Sequence, residues 1–311
     1  MQTVRPAPPP ERAPVVCFPE ARLSWPLFAF LTAFFESGKD VFAKLCLQRC
    51  DEYLVAWAWR LLALPFLLPL IPVVGVPPLG APFWGALLVS GGLNVVTAVL
   101  YVRAIRLSDL SLTVPMVALT PLFLLLSSPL ILGEFPGPVG LAGVLLIVAG
   151  SYLLYLGQRS RGVLAPLRAL LGDSGPRLML LVALLWSITA NVDKIGLRHS
   201  SPTFWALAVN LFIACAMLPL VLRRRGALAG MGGSFAPLLG LGFCGAMTSL
   251  CQMTAISMAL VPYVISIKRT STVLSVLWGH FLFGEQGFRE RLAGTCIMVA
   301  GAVMITLGQG R

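Results

Sequence analysis

The chain has 311 residues, is 58% hydrophobic and only 11% charged, and carries a net charge of +11 with a mean hydropathy of +0.88. A soluble domain of this length needs far more polar surface, which excludes a soluble globular protein. The positive charge lies mostly between apolar runs, where it reports topology and anionic headgroups rather than a nucleic-acid partner.

The opening MQTVRPAPPPERAP is polar and proline-rich, so residues 1–23 are expected to be a disordered tail rather than a signal peptide. A hydrocarbon core about 30 Å thick takes roughly 20 apolar residues per helix. Such runs follow at 24–45, 53–72, 83–103, 110–132, 137–157, 177–197, 203–222, 235–257, 261–283 and 292–308. None alternates as the strands of an outer-membrane barrel do. The fold class expected is an all-α membrane protein with ten transmembrane helices. Seven cysteines lack any CxxC pair or zinc spacing; even Cys46 and Cys50, the nearest pair, are expected to be small apolar residues, with no disulfide and no metal.

In the first span, FFESGKDVFAKL places Glu36, Asp40 and Lys44 at i, i+4, i+8, with Lys39 three residues from Glu36. Opposite charges at these spacings neutralise one another and lower the cost of burial. Ionisable groups inside a span face the protein interior or a wet cavity. Glu36, Lys39 and Asp40 are therefore candidate substrate or coupling residues, the alternative being a structural ion-pair ladder; Lys44 sits where snorkelling competes. Asn94 and Tyr101 share a face of the third span. Glu134 follows a glycine between the fourth and fifth spans, where a carboxylate suits a helix N-terminus; a proton-coupling role is the alternative. WSITANVDKIGL in the sixth span sets Ser187, Asn191 and Lys194 on one face and turns Asp193 away from Asn191. Gln252 lies in the eighth.

The ninth span, VPYVISIKRTSTVLSVLWGHFLFG, holds Lys268 and Arg269 side by side. On an unbroken helix Lys268, Ser271, Thr272 and Ser275 form one polar stripe and Tyr263, Ser266 and Thr270 a second, with Arg269 on the side of His280. Such a helix has little face for lipid and is expected to line a cavity. No acid lies within four residues of the pair. Glu36 and Asp40, or the substrate, must supply the counter-charge. An arginine fork beside a lysine point charge suits an oxyanion.

The chain also repeats itself. A shift of 150 residues brings Lys44 onto Lys194, Arg60 onto Asn210 and Pro69 onto Pro219; a shift of 151 aligns the next three spans, putting Tyr101 on Gln252. LGEFPGPVGLAGVLLIVAGSYLLYLG then meets FGEQGFRERLAGTCIMVAGAVMITLG, with Gly133-Glu134 on Gly284-Glu285. Five spans is an odd number, so the halves enter the membrane from opposite sides. The expected divisions are a first five-helix repeat over 24–157, a basic linker over 158–176 and a second repeat over 177–308. Inverted repeats are the plan of secondary transporters, whose sites lie between the halves near the midplane.

This layout, the paired GE…LAG…VAG…LG endings and the fourth-span ALTPLFLLLSSPLILGE resemble the drug/metabolite transporter superfamily, specifically its EamA-type members. The resemblance covers 24–308 and implies a five-plus-five fold with a central cavity, alternating access and, often, export of small metabolites. The Lys268-Arg269 pair is also similar to that of plastid phosphate translocators, where the two cations hold a phosphate or carboxylate; this carries over to those two residues alone.

The expected function is secondary transport of a small polar or anionic metabolite across the inner membrane. The candidate binding residues are Lys268, Arg269, Glu36, Lys39, Asp40, Asn94, Tyr101, Asn191, Lys194, Gln252 and Tyr263. The partners are a small-molecule substrate, the bilayer, and a proton or counter-exchanged solute, with no cofactor and no nucleic acid. The rivals are a sugar-phosphate exchanger and, in another class, a membrane enzyme on a lipid-linked substrate. No metal motif or long catalytic loop supports the second. Cargo, direction, coupling ion and oligomeric state are left open. Arginines crowd the odd-numbered loops, among them the Arg223-Arg224-Arg225 run, which places those loops in the cytoplasm and both termini outside.

Overall fold

The structure is a computed structural model and describes residues 21–107, 114–156, 172–224, 234–283 and 288–308. Most of the N-terminal tail and of the basic linker, together with Glu285 and the side chain of His280, lies outside the described residues. Among those described, every regular element is helical and the helices make ten spans. They are α1 (Ala21–Leu47), α2 (Glu52–Leu67), α3 (Pro82–Leu107), α4 (Thr120–Leu132), α5 (Pro138–Leu156), α6 (Ser174–Arg198), α7 (Pro202–Leu222), α8 (Phe235–Met258), α9 (in two pieces, Val261–Lys268 and Ser271–Phe283) and α10 (Phe288–Gly308). Five are long and apolar enough to cross a membrane on those grounds alone: Glu52–Val74, Pro82–Tyr101, Ser174–Arg198, Pro202–Leu222 and Phe235–Met258.

The helices begin and end for local reasons. Asp51 caps α2, its Oδ1 accepting the Tyr53 N–H at 2.9 Å. Prolines at 65, 69 and 72 withhold N–H donors near its far end, which passes through a 3₁₀ turn at Leu68–Leu70 into a last turn at Ile71–Val74. Gly133 closes α4 with a φ of +70°, a conformation other residues adopt only under strain.

The ninth span is not one helix. It runs as α9a (Val261–Lys268) and α9b (Ser271–Phe283), broken at the Lys268-Arg269 pair. At the break Thr270 N–H bonds the Ile267 carbonyl and Thr272 N–H the Arg269 carbonyl, both i−3. The hydroxyls of Thr270 and Thr272 bond the same carbonyls at 2.7 and 2.8 Å. Side-chain hydroxyls thus compete with the α-helical ladder and tighten it. The polar stripes expected of an unbroken helix are corrected accordingly. The fourth span has a matching irregularity, a 3₁₀ segment at Val114–Leu119 ahead of α4.

The halves interlock symmetrically. α1 packs on α8 and α6 on α3, so each half lends its first helix to the other; α2 lies on α7 and α5 on α10. The α5–α10 contact is backbone against backbone. A Cβ on Gly143 would stand 2.7 Å from the Gly301 carbonyl oxygen, and one on Gly150 would stand 2.7 Å from that of Gly294. Gly143 and Gly294 are repeat mates, as are Gly150 and Gly301, so the two contacts are related by the axis that relates the halves. Without a hydrophobic drive between helices in lipid, such close approach through small residues is what holds them. The largest core cluster runs through both halves, while Cys46 and Cys50 pack with Leu54, Val221 and Leu241 in a second one.

Candidate functional site

The inward side of α1 carries Glu36 and Lys39 one turn apart. Lys39 Nζ sits 2.7 Å from Glu36 Oε1 and 4.0 Å from Asp40 Oδ1. From the break in the ninth span, Lys268 reaches across to Glu36 Oε2 at 3.6 Å and donates to Gln252 Oε1 on α8 at 2.8 Å. Glu36 is thus the counter-charge that the sequence required for Lys268. Arg269 points to the other break, donating to Thr120 Oγ1 at the start of α4 at 3.0 Å. α9b closes over α1, with Ser275 donating to Asp40 Oδ2 at 3.3 Å and the Trp278 indole to Ser37 Oγ at 3.2 Å.

Two residues that the sequence reading passed over complete the cluster. Trp59 on α2 lies between cations, with Lys39 Nζ and the Arg60 guanidinium each 4.1 Å from its ring centroid. Arg60 also donates to Asn210 Oδ1 at 3.2 Å, its repeat mate across the axis. The signal is present in WAWRLLAL, a lone arginine in an apolar run, although the repeat marks it only as the partner position of Asn210. Among the described residues, Lys39, Arg60, Lys268 and Arg269 therefore gather around Glu36 and Asp40. Buried charges of this kind each cost roughly several kcal/mol unless paired. The cluster opens at Asp40, whose side chain is 51% exposed, and narrows to 17% at Glu36.

The remaining expected residues lie elsewhere. Lys194 is buried at the end of the molecule where α1 begins and α10 ends, pairing with Glu134 at 2.8 Å and donating to the Ala259 carbonyl at 2.7 Å. Glu134 also takes Arg198 at 3.1 Å. Its carboxylate is therefore an ion-pair partner of α6, which corrects its expected role as a helix cap. Tyr263 is 2% exposed; its hydroxyl accepts the Gly137 N–H at 3.2 Å, and its ring stacks on Trp25. Both Lys194 and Tyr263 thus belong to the closed end rather than to the cluster around Lys268. Asn191 is fully buried, bonded to Ser127, Ser128 and the Ser187 carbonyl, a polar knot tying α6 to α4. Tyr101 lies against Trp186 at 5.9 Å, and Asn94 bonds the Ser90 carbonyl at 2.9 Å.

A helical bundle of two inverted five-helix repeats, with ionised side chains gathered at two helix breaks between the halves, defines a multi-pass membrane protein of transporter architecture. The sequence comparisons make the class specific. The EamA-like transporter family matches residues 23–156 and 174–307, one match per repeat, and the chain belongs to that family. No curated protein matches the chain. One crystal structure of another protein overlays with a TM-score of 0.75 at 19% identity, covering 92% of this chain and 97% of that one. At that identity the likeness is one of fold alone.

Proposed function

We propose that this EamA-family protein is a secondary transporter of a small polar or anionic metabolite, moving it outward across the inner (cytoplasmic) membrane by alternating access. The observation that carries this reading is the meeting of Lys39 and Lys268 with Glu36 beside the break in the ninth span, with Arg60 and Arg269 close by. Lys268 and Arg269 bind the anionic group, and Glu36, Lys39 and Asp40 form the counter-surface that receives Lys268 when the site is empty. Gln252 positions the Lys268 ammonium. With the arginine-rich odd loops in the cytoplasm, the half-exposed Asp40 end faces inward and the Glu134–Lys194 clasp closes the outer end. The cargo thus enters from the cytoplasm, consistent with export.

A ligand-dependent thermal shift on the detergent-purified protein tests this. Phosphorylated sugars, carboxylates, amino acids and neutral compounds are compared on the wild type, Lys268→Ala and Arg269→Ala. A ligand at about a hundred times its Kd stabilises by roughly 2.7 kcal/mol. Stabilisation by anions alone, lost in both variants, is expected; a response confined to phosphorylated compounds selects the sugar-phosphate exchanger. Neutral ligands acting alone, or anions acting equally on the variants, refute the assignment.

A further inference from the structure

Asp193 stands outside the charged cluster, and its surroundings differ from those of Glu36, Asp40 and Glu134, each of which faces a lysine. It sits on α6, 5% exposed. Ser90 Oγ of α3 donates to its Oδ1 at 2.6 Å, and the Trp205 indole N–H of α7 donates to the same oxygen at 3.1 Å. Both donors are neutral and both land on Oδ1, so Oδ2 takes neither hydrogen bond. Among the described residues, no lysine or arginine stands within 4.0 Å of its carboxylate. This arrangement accommodates a carboxylic acid, with one oxygen as acceptor and the other to carry a proton.

The symmetry of the molecule shows that the fold does not need an acid here. The repeat mates of Asp193, Ser90 and Trp205 are Ala43, Leu241 and Val55. In the first half these three belong to one apolar cluster, filling the corresponding α1–α8 interface with hydrocarbon. The same packing problem is solved once without a charge and once with one. A buried carboxylate kept where apolar packing suffices calls for a role other than stability.

We propose that Asp193 is a proton-binding site of the transport cycle, taking up a proton on Oδ2 at the joint between the two halves. Its position suits that role, because it joins α6 and α7 of the second half to α3 of the first. The groups facing it from the packed elements are few. Arg60 of α2 and Lys268 of α9a are the cations whose charge acts on it across the interior. Among the described residues α4 and the 3₁₀ segment before it bring no ionisable group, α7 only Cys215, and α8 only Cys244 and Cys251. On α9a there is also Tyr263, bound to Gly137. On α3, Tyr101 and Arg103 lie three or more turns along, and on α6, Lys194 is turned to Glu134. Because Arg60 and Lys268 belong to the charged cluster, a proton on Asp193 releases part of their field to an incoming anion. Reciprocal linkage then makes the anion raise the affinity for the proton, so that occupancy of either site favours the other. This last step rests on the anionic-cargo reading; the proton site itself does not.

Two measurements on the full-length protein test the proposal. The first is the infrared difference spectrum for pH steps between about 5 and about 8, the range in which a perturbed carboxyl titrates. A protonated-carboxyl band is expected in the wild type, absent in Asp193→Asn and displaced in Ser90→Ala, which removes one hydrogen bond to Oδ1. Asn keeps the Oδ1 acceptor and is expected to fold. The second is stabilisation by methanesulfonate, whose charge is constant over this range. Its apparent affinity is expected to rise at least about fivefold from pH 8 to pH 5 in the wild type. In Asp193→Asn it is expected to stay at the low-pH value throughout. A carboxyl band unchanged in Asp193→Asn overturns the proposal, as does an identical pH dependence of the sulfonate effect in that variant. Sulfonate binding without any Asp193 band sinks the proton site alone. An Asp193 band with no sulfonate effect at any pH leaves the proton site standing and sinks the anionic cargo.

Discussion

Replacing Glu134 by Gln isolates the clasp at the closed end. The side chains of Glu134 and Lys194 are 12% and 10% exposed and 2.8 Å apart, so this is a buried pair. Removing one partner of such a pair destabilises by about 3 to 5 kcal/mol, because the other charge is left uncompensated. Lys194 retains the Ala259 carbonyl at 2.7 Å, which places the expected loss near the lower figure. Arg198 adds little, since its side chain is 53% exposed and exposed pairs contribute about 0 to 1 kcal/mol. A loss of about 3 kcal/mol lowers Tm by roughly 6 °C in a chain of this size. The assay is thermal unfolding of four proteins: wild type, Glu134→Gln, Lys194→Met and the double variant. Because the double variant leaves no buried charge alone, it is expected to be at least about 2 kcal/mol more stable than the sum of the single losses. Additive losses, or a single loss under about 1 °C, would mean that the two groups do not sense each other and that the clasp is not closed in solution.

Two further outcomes follow from packing and capping. Gly143→Ala puts a Cβ 2.7 Å from the Gly301 carbonyl oxygen and should destabilise by about 1 to 3 kcal/mol, whereas Gly92→Ala, with open space around it, should not; melting temperatures of the two variants side by side check this. Asp51→Ala removes the cap of α2 and the 3.6 Å pair with Arg224, and is expected to lower stability by about 1 kcal/mol, measured in the same way.

The repeat made most of the fold legible, because register kept over a hundred and more residues carries information that no single apolar span does. The charges of α1 were legible because their partners lie a turn away on the same helix. The break at Lys268-Arg269 was not, since it depends on Thr270 and Thr272 hydroxyls competing for carbonyls that an intact helix would also satisfy. Glu134 was misjudged because its partners lie 60 and 64 residues on, beyond any local spacing rule. Asp193 escapes a single helical wheel, which has one inside, whereas α6 is surrounded on several faces and its second polar direction is also interior.

The contact between Arg60 and Asn210 has a consequence for how such a molecule can arise. A residue beside a two-fold axis meets its own copy. Two separate, identical five-helix chains assembled in this manner would set arginine against arginine inside the membrane. Joined in one polypeptide, the two positions change independently, and here one is the arginine and the other the asparagine whose side-chain oxygen receives the guanidinium at 3.2 Å. Covalent fusion thus frees the midline of the transporter from the demand that whatever stands there be compatible with itself.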